Sequence, residues 1–193
     1  MSIATTWYLE TKTFEPWAYI ENFLSLDECT EVKKIAEEHL KEEALIDAGL
    51  VTDIRKNKVS FFNAANPEYQ WLYRKITDAI NSMNDKFWKF DLDYIETLQY
   101  TEYGELGDKY KAHLDMGKDY IHYRKLSFSI LLDDPKDYKG GDFQIYTKSE
   151  PESTLRSQGT LIAFPSFILH EVTPIEQGSR SSLVGWVCGN QFK

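Results

Sequence analysis

The spacing of apolar residues changes character once along this 193-residue chain. In the first half apolar positions recur every three or four residues, the period of a half-buried helix. In the second half they alternate or gather into short runs, the habit of strands. Ser25-Leu26-Asp27-Glu28 has the S-x-x-E form in which serine and glutamate cap each other's exposed backbone donors, so a helix is predicted to begin there. Leu26, Cys29, Val32, Ile35, Ala36 and Leu40 make its apolar stripe, and Gly49 lies near its expected end. Asn66-Pro67 predicts the cap and first residue of a second helix. Its inward face would be Trp71, Leu72, Lys75, Ile76, Ala79, Ile80 and Met83, ending near Asn84-Asp85. Residues 3–9 and 17–23 mix aromatic and β-branched side chains and are read as short strands. Between the helices, residues 50–65 carry a local excess of positive charge. There IRKNKVSFF reads as a strand presenting Arg55 or as a mobile loop.

After Phe87 the strand pattern takes over. LDYIETLQYTEY and residues 125–132, 142–147, 159–164 and 180–188 are alternating or apolar segments. Asp134-Pro135, Gly140-Gly141, Pro151 and Gly178-Ser179 punctuate them. Two helices followed by many short strands predict an α+β, mainly β, chain. The expected architecture is a double-stranded β-helix, or jelly roll, over residues 90–190, with the helical segment 25–85 packed on one sheet. The length suits a single domain spanning 1–193.

Composition narrows the function classes. A hydrophobic fraction of 42% and an aromatic fraction of 15% suit a folded β core, and a net charge of −9 disfavours broad contact with nucleic acid or anionic membrane. Two cysteines without C-x-x-C spacing argue against a disulfide framework or structural zinc, and a reducing, cytoplasmic setting is expected. The first residues lack the basic and apolar regions of a signal peptide, and no uncharged apolar run approaches the ~20 residues of a membrane span.

Candidate chemistry concentrates in YGELGDKYKAHLD (103–115), which closes on His113-x-Asp115. Side chains two apart on a strand leave the same face, so imidazole and carboxylate can converge. His170 in FPSFILHEVTP is the third candidate, and Arg180 follows in GSRSSLVGW. Two histidines and one carboxylate can cap one face of an octahedral iron, leaving positions for a chelating oxoacid such as 2-oxoglutarate and for dioxygen. Arg180 heads an apolar strand, where a charge is costly to bury unless it meets an anion. Its planar fork suits a carboxylate, and Ser182, two residues on, would face the same way. Singly, each residue has a plainer reading: a chance H-x-D, a hydrogen-bonded core histidine, a structural salt bridge. A zinc hydrolase is the chemical rival, although it leaves the Arg-x-Ser pair unexplained. His39 is read as a surface residue and His122 as a loop residue near the cavity mouth. No G-x-S-x-G, P-loop or Rossmann glycine pattern occurs.

From about Leu98 to Gly189 the chain resembles the iron(II)/2-oxoglutarate-dependent oxygenases, in particular the prolyl 4-hydroxylase-like branch with its PKHD-type hydroxylases. The resemblance lies in Tyr103, Tyr110-x-x-His113-x-Asp115, LSFSILLDDPKDYKGGDFQI, GTLIAFPSFILHEVTPI and GSRSSLVGW, in that order. YIENFLSLDECTEV (19–32) is similar to the entry of that fold. The resemblance implies that His113, Asp115 and His170 bind iron(II) and that Arg180 holds the distal carboxylate of 2-oxoglutarate. Tyr103 would line the co-substrate pocket, with Ser182 as a further donor. It departs at Leu131, where some prolyl hydroxylases place a second tyrosine against that carboxylate. Dioxygen as co-substrate and ascorbate as a reductant also come with it. The implied reaction is hydroxylation of a C–H bond, best matched to a prolyl residue of a peptide or protein. Arg55, Tyr120 and Tyr123 are candidates for the substrate rim by position, and Trp186 shares the alternating face of Arg180 and Ser182. The alternatives are an oxygenase of a free amino acid or other small molecule, and a catalytically silent jelly-roll binding module.

Overall fold

The computed structural model of the protein describes residues 14–43 and 55–191. The strand predicted at 3–9, Gly49 and the side chains of His39, Leu40 and Arg55 lie outside the described residues. Helix α1 (Leu26–Glu43) starts where the capping box predicts. The Ser25 N–H donates to Glu28 Oε2 at 2.7 Å, and the Glu28 N–H donates to Ser25 Oγ at 3.2 Å. Cys29, Val32 and Ala36 are buried, but Leu26 is 64% exposed. At 3.6 residues per turn Leu26 falls roughly a quarter-turn off the arc of the other three. Asn66 caps a short 3₁₀ turn (Pro67–Tyr69), accepting the Glu68 N–H at 3.0 Å, and that turn runs into α2 (Gln70–Phe87). Leu72, Ile76, Ile80 and Met83 face the core. The predicted inward Lys75 instead bridges the helices, its ammonium 2.7 Å from both Glu28 oxygens. Asn84 does not end α2. It is buried within the last turn, and its amide exchanges two 2.9 Å bonds with the Phe90 backbone to fix the exit of the chain.

The strands in chain order begin with β1 (Ala18–Ile20), β2 (Arg55–Lys56), β3 (Lys58–Phe62), β4 (Tyr94–Ile95) and β5 (Leu98–Tyr103). Then come β6 (Lys109–His113), β7 (Arg124–Leu131), β8 (Lys139–Gly140), β9 (Phe143–Ile145) and β10 (Glu152–Ser153). β11 (Leu161–Pro165), β12 (His170–Val172), β13 (Ile175–Gln177) and β14 (Arg180–Cys188) complete the set. All pairings are antiparallel. The major sheet runs β1-β11-β7-β14-β5-β3, with β4 also on β14; the minor sheet runs β10-β9-β12-β6-β2; β13 and β8 pair separately. IRKNKVSFF is neither one strand nor a loop. It breaks at Asn57, so that β2 joins the minor sheet through β6 and β3 joins the major sheet through β5.

The period of two sorts the interior into two compartments. Leu98 and Tyr100 of β5, Phe128 and Ile130 of β7, and Leu183 and Val187 of β14 join the helices in one apolar cluster. Tyr103, Leu131, Phe143, Ile162, Phe164 and Val172 form the second. The helices thus support the major sheet from behind, and the site opens from its other face. Gly185 of β14 leaves no room for a side chain against its strand neighbours: a Cβ there would come within 2.4 Å of Phe128 Cζ and 2.9 Å of Leu98 Cδ2. Gly185→Ala should cost ~1–3 kcal/mol through overpacking, whereas Leu26→Ala should stay within about 0.5 kcal/mol as a surface change. Chemical denaturation of the two variants tests this assignment of inside and outside.

Candidate active site

β6 ends at His113, so strand alternation does not carry Asp115 to its place. A bend does: the Asp115 and Met116 N–H groups both donate to the Ser166 carbonyl at 3.1 Å. His170 opens β12 and lies directly opposite His113 in the register. The candidate ligand atoms of His113, Asp115 and His170 all lie within 4.8 Å of one another. Asp115 sits between the imidazoles, Oδ1 3.6 Å from His113 Nε2 and Oδ2 3.4 Å from His170 Nε2.

Both rings are held the same way. His113 Nδ1 lies 2.8 Å from the Lys111 carbonyl and His170 Nδ1 2.9 Å from the Ile168 carbonyl. A carbonyl only accepts, so each Nδ1 carries a proton, and each Nε2 is left to share a proton with Asp115 or, once that proton is lost, to offer its lone pair to the common point. Tyr110 stacks on His113 at 3.5 Å between centroids, and Phe164 lies 4.6 Å from His170. Burial works against the Asp115 charge, but the His113 and His170 imidazoles beside it hold its carboxyl well below the usual range. Burial pushes His170 down, although Asp115 partly opposes this. The donor set of two imidazole nitrogens and one carboxylate therefore fits a divalent transition ion bound on one face.

This group borders a cavity of about 730 Å³ between the sheets, also lined by Gln99, Thr101, Tyr103, Ser182 and Trp186. Behind Tyr103 and Ser182 lies Arg180, 2% exposed. Its guanidinium carbon lies 5.5 Å from the Tyr103 ring centroid, and Nη1 reaches Ser182 Oγ at 3.4 Å. Among the described residues no carboxylate lies within 4.0 Å of it. The other two arginines near this face have acidic partners: Arg156 binds Asp142 at 2.9 Å, and Arg124 grips Glu96 at 2.8 and 2.7 Å. A desolvated guanidinium without an anion is costly, so the surroundings of Arg180 could hold an anionic group. Gly141, at φ +62°, leaves space for it: a Cβ there would lie 3.0 Å from Arg180 Cδ.

The remaining sequence candidates scatter. Tyr120, 70% exposed, and the half-buried Trp186 line the cavity mouth. Tyr123 is not among the lining residues; its ring packs on His122 at 3.8 Å. The Arg55 backbone pairs with Tyr110 in the minor sheet. Leu131 is buried beside Ser182 in the register. Sequence reasoning missed Arg124, which lines the cavity, lies 4.0 Å over the Trp186 ring and points Nη1 at the Asp115 carbonyl, 3.4 Å away. The signal was available, because Arg124 heads an apolar strand just as Arg180 does.

Two histidines and an aspartate thus meet at a cavity between the sheets, with a buried arginine behind that has no carboxylate within 4.0 Å among the described residues. Residues 98–188, which carry His113, Asp115, His170 and Arg180, match the family model of the 2OG-Fe(II) oxygenase superfamily. A PKHD-type hydroxylase of Hyphomonas neptunium is 40% identical over 85 residues, 42% of this chain and 38% of that protein. One from Prochlorococcus marinus is 37% identical over 81 residues, 42% of this chain and 37% of the relative. The chain thus spans less than two fifths of these curated relatives. The fold is shared more widely. A Pseudomonas putida prolyl-4-hydroxylase superposes with a TM-score of 0.72 at 21% identity, covering 91% of this chain and 93% of its own. A Trichoplax adhaerens prolyl hydroxylase, solved with a hypoxia-inducible-factor peptide, gives 0.74 at 19% identity over 90% and 84%.

Saturating Mn(II), at about a hundred times its Kd, should stabilise the metal-free protein by ~2.7 kcal/mol. In Asp115→Ala most of that gain should vanish, as read by thermal unfolding with and without the ion.

Proposed function

We propose that the protein is an iron(II)- and 2-oxoglutarate-dependent dioxygenase that hydroxylates a C–H bond, with a prolyl residue of a peptide or protein as the best-supported substrate. The observation that carries the co-substrate half of this reading is the buried Arg180 guanidinium, which has no acidic partner among the described residues, set behind the His113–Asp115–His170 group. When bound, iron and 2-oxoglutarate supply one chemistry: dioxygen converts the oxoacid to succinate and carbon dioxide while a substrate C–H becomes C–OH.

The chain's part is to hold and to exclude. His113 and His170 would ligate through Nε2 and Asp115 through its carboxylate, each ring fixed by its Nδ1–H bond to a backbone carbonyl. Arg180 would grip the far carboxylate of the oxoacid, with the Tyr103 ring and Ser182 beside it. Phe143, Phe164 and Tyr110 keep water from the inner wall. At the mouth, exposed Phe61, Tyr94, Leu114 and Tyr120 offer an apolar rim for a chain longer than a free amino acid. The fold shared with a peptide-bound prolyl hydroxylase supports the same substrate class. Ascorbate as reductant belongs to this proposal and is testable in the same assay.

Anaerobic addition of iron(II) and 2-oxoglutarate should give the weak visible charge-transfer band of a chelated oxoacid. Its absence in folded, iron-loaded protein would remove the co-substrate from the scheme. In air, succinate should appear faster with proline-containing peptides than with free proline. Binding of the oxoacid without any succinate would favour a silent module instead.

A further inference from the structure

Leu131 leaves a question about the far end of the oxoacid pocket: what, besides Arg180, meets the carboxylate there. Cross-strand pairs of β5 and β14 give the answer. Arg180 lies opposite Tyr103, and Ser182 lies opposite Thr101; Ser182 is in turn opposite Leu131 on the other side. Thr101, Ser182 and Leu131 therefore form one row across three strands, on the face that Tyr103 and Arg180 share. Side chains directly opposite in such a pair stand about 4.5–5.5 Å apart at Cβ.

Thr101 is 2% exposed and lines the cavity. Its hydroxyl already accepts a hydrogen bond from Gln99 Nε2 at 2.8 Å. The amide occupies a lone pair and leaves the Thr101 O–H proton to be given away, yet no described residue accepts it. An oriented donor, backed by an amide and aimed into a pocket beside an arginine without an acidic partner, is complementary to an anion. The donor comes from β5, on the side of β14 opposite to Leu131.

Resting on the co-substrate reading above, we propose that Thr101, oriented by Gln99, is a co-substrate-binding residue. It donates its hydroxyl proton to the distal carboxylate held by Arg180, in the place of a donor that Leu131 cannot supply. Gln99 acts through Thr101 and is a positioning residue.

The test is calorimetric titration of the folded, Mn(II)-loaded chain with 2-oxoglutarate and with 2-oxobutyrate, which lacks the distal carboxylate. Thr101→Val keeps the shape and removes the donor. It should weaken 2-oxoglutarate binding about tenfold, the scale of one hydrogen bond to a charged group, and leave 2-oxobutyrate binding unchanged. Thr101→Ser should retain wild-type affinity within about threefold, and Gln99→Leu should weaken only 2-oxoglutarate, by a smaller factor. Arg180→Ala is the reference for loss of the carboxylate site. If Arg180→Ala weakens 2-oxoglutarate and Thr101→Val does not, or if Thr101→Val weakens both oxoacids equally, the role of Thr101 is overturned and the co-substrate reading stands. If the wild-type, metal-loaded chain does not bind 2-oxoglutarate, the reading itself falls and takes this inference with it.

Discussion

Everything in the site depends on the two-residue period of β14. This strand pairs with β5, β7 and β4, so it is the spine of the major sheet. Leu183 and Val187 are buried against the helices, while Arg180, Ser182, Val184 and Trp186 take the cavity side. A slip of one residue would exchange the two sets, sending a guanidinium into an apolar cluster and two aliphatic side chains into a polar pocket. The chain holds the register from outside the ladder as well. Buried Asp133 accepts from both the Ser181 N–H and the Ser181 hydroxyl, and Lys33 of α1 bonds to the same carboxylate. The helices therefore serve the chemistry at one remove, by fixing which face of β14 is which.

Charge is distributed around the cavity with a purpose that the three arginines make visible. Arg124 and Arg156 are neutralised by Glu96 and Asp142 and act as ties: one spans the cavity wall over Trp186, the other braces the turn around Tyr138. Arg180 alone of the three is kept apart from carboxylates while being the most buried. Beside the cavity, burial works against the Asp115 charge, while His113, His170 and the Ser127 hydroxyl together hold its carboxyl below the usual range. A donor set that suits a cation thus borders the cavity, and a guanidinium that suits an anion lies behind its Tyr103 and Ser182 wall.

How much of this was legible in the sequence depends on whether the signal was local. The capping box at Ser25, the strand 180–188 and the alternation that aligns Arg180 with Ser182 are local patterns, and each appears as read. Leu26 was misplaced in the helical stripe because, at 3.6 residues per turn, it falls off the arc that Cys29, Val32 and Ala36 share. IRKNKVSFF looked continuous because nothing in its residues reveals that two sheets compete for its halves. Asp115 converges with His113 for a non-local reason, the Ser166 carbonyl that catches the bend, although H-x-D spacing suggested a strand. Thr101 and Gln99 could not be singled out beforehand: their meaning comes from the register of β5 against β14, which only folding supplies. The resemblance to a known family carried the pocket as far as Leu131 and no further.

The most direct measurement is a crystal structure of the protein with Mn(II) and N-oxalylglycine, an unreactive analogue of 2-oxoglutarate. The ion should be bound by His113 Nε2, the Asp115 carboxylate and His170 Nε2, with the far carboxylate of the analogue on Arg180. An ion bound away from those three side chains, or an analogue whose far carboxylate lies elsewhere while Arg180 stays unpaired, would contradict the account.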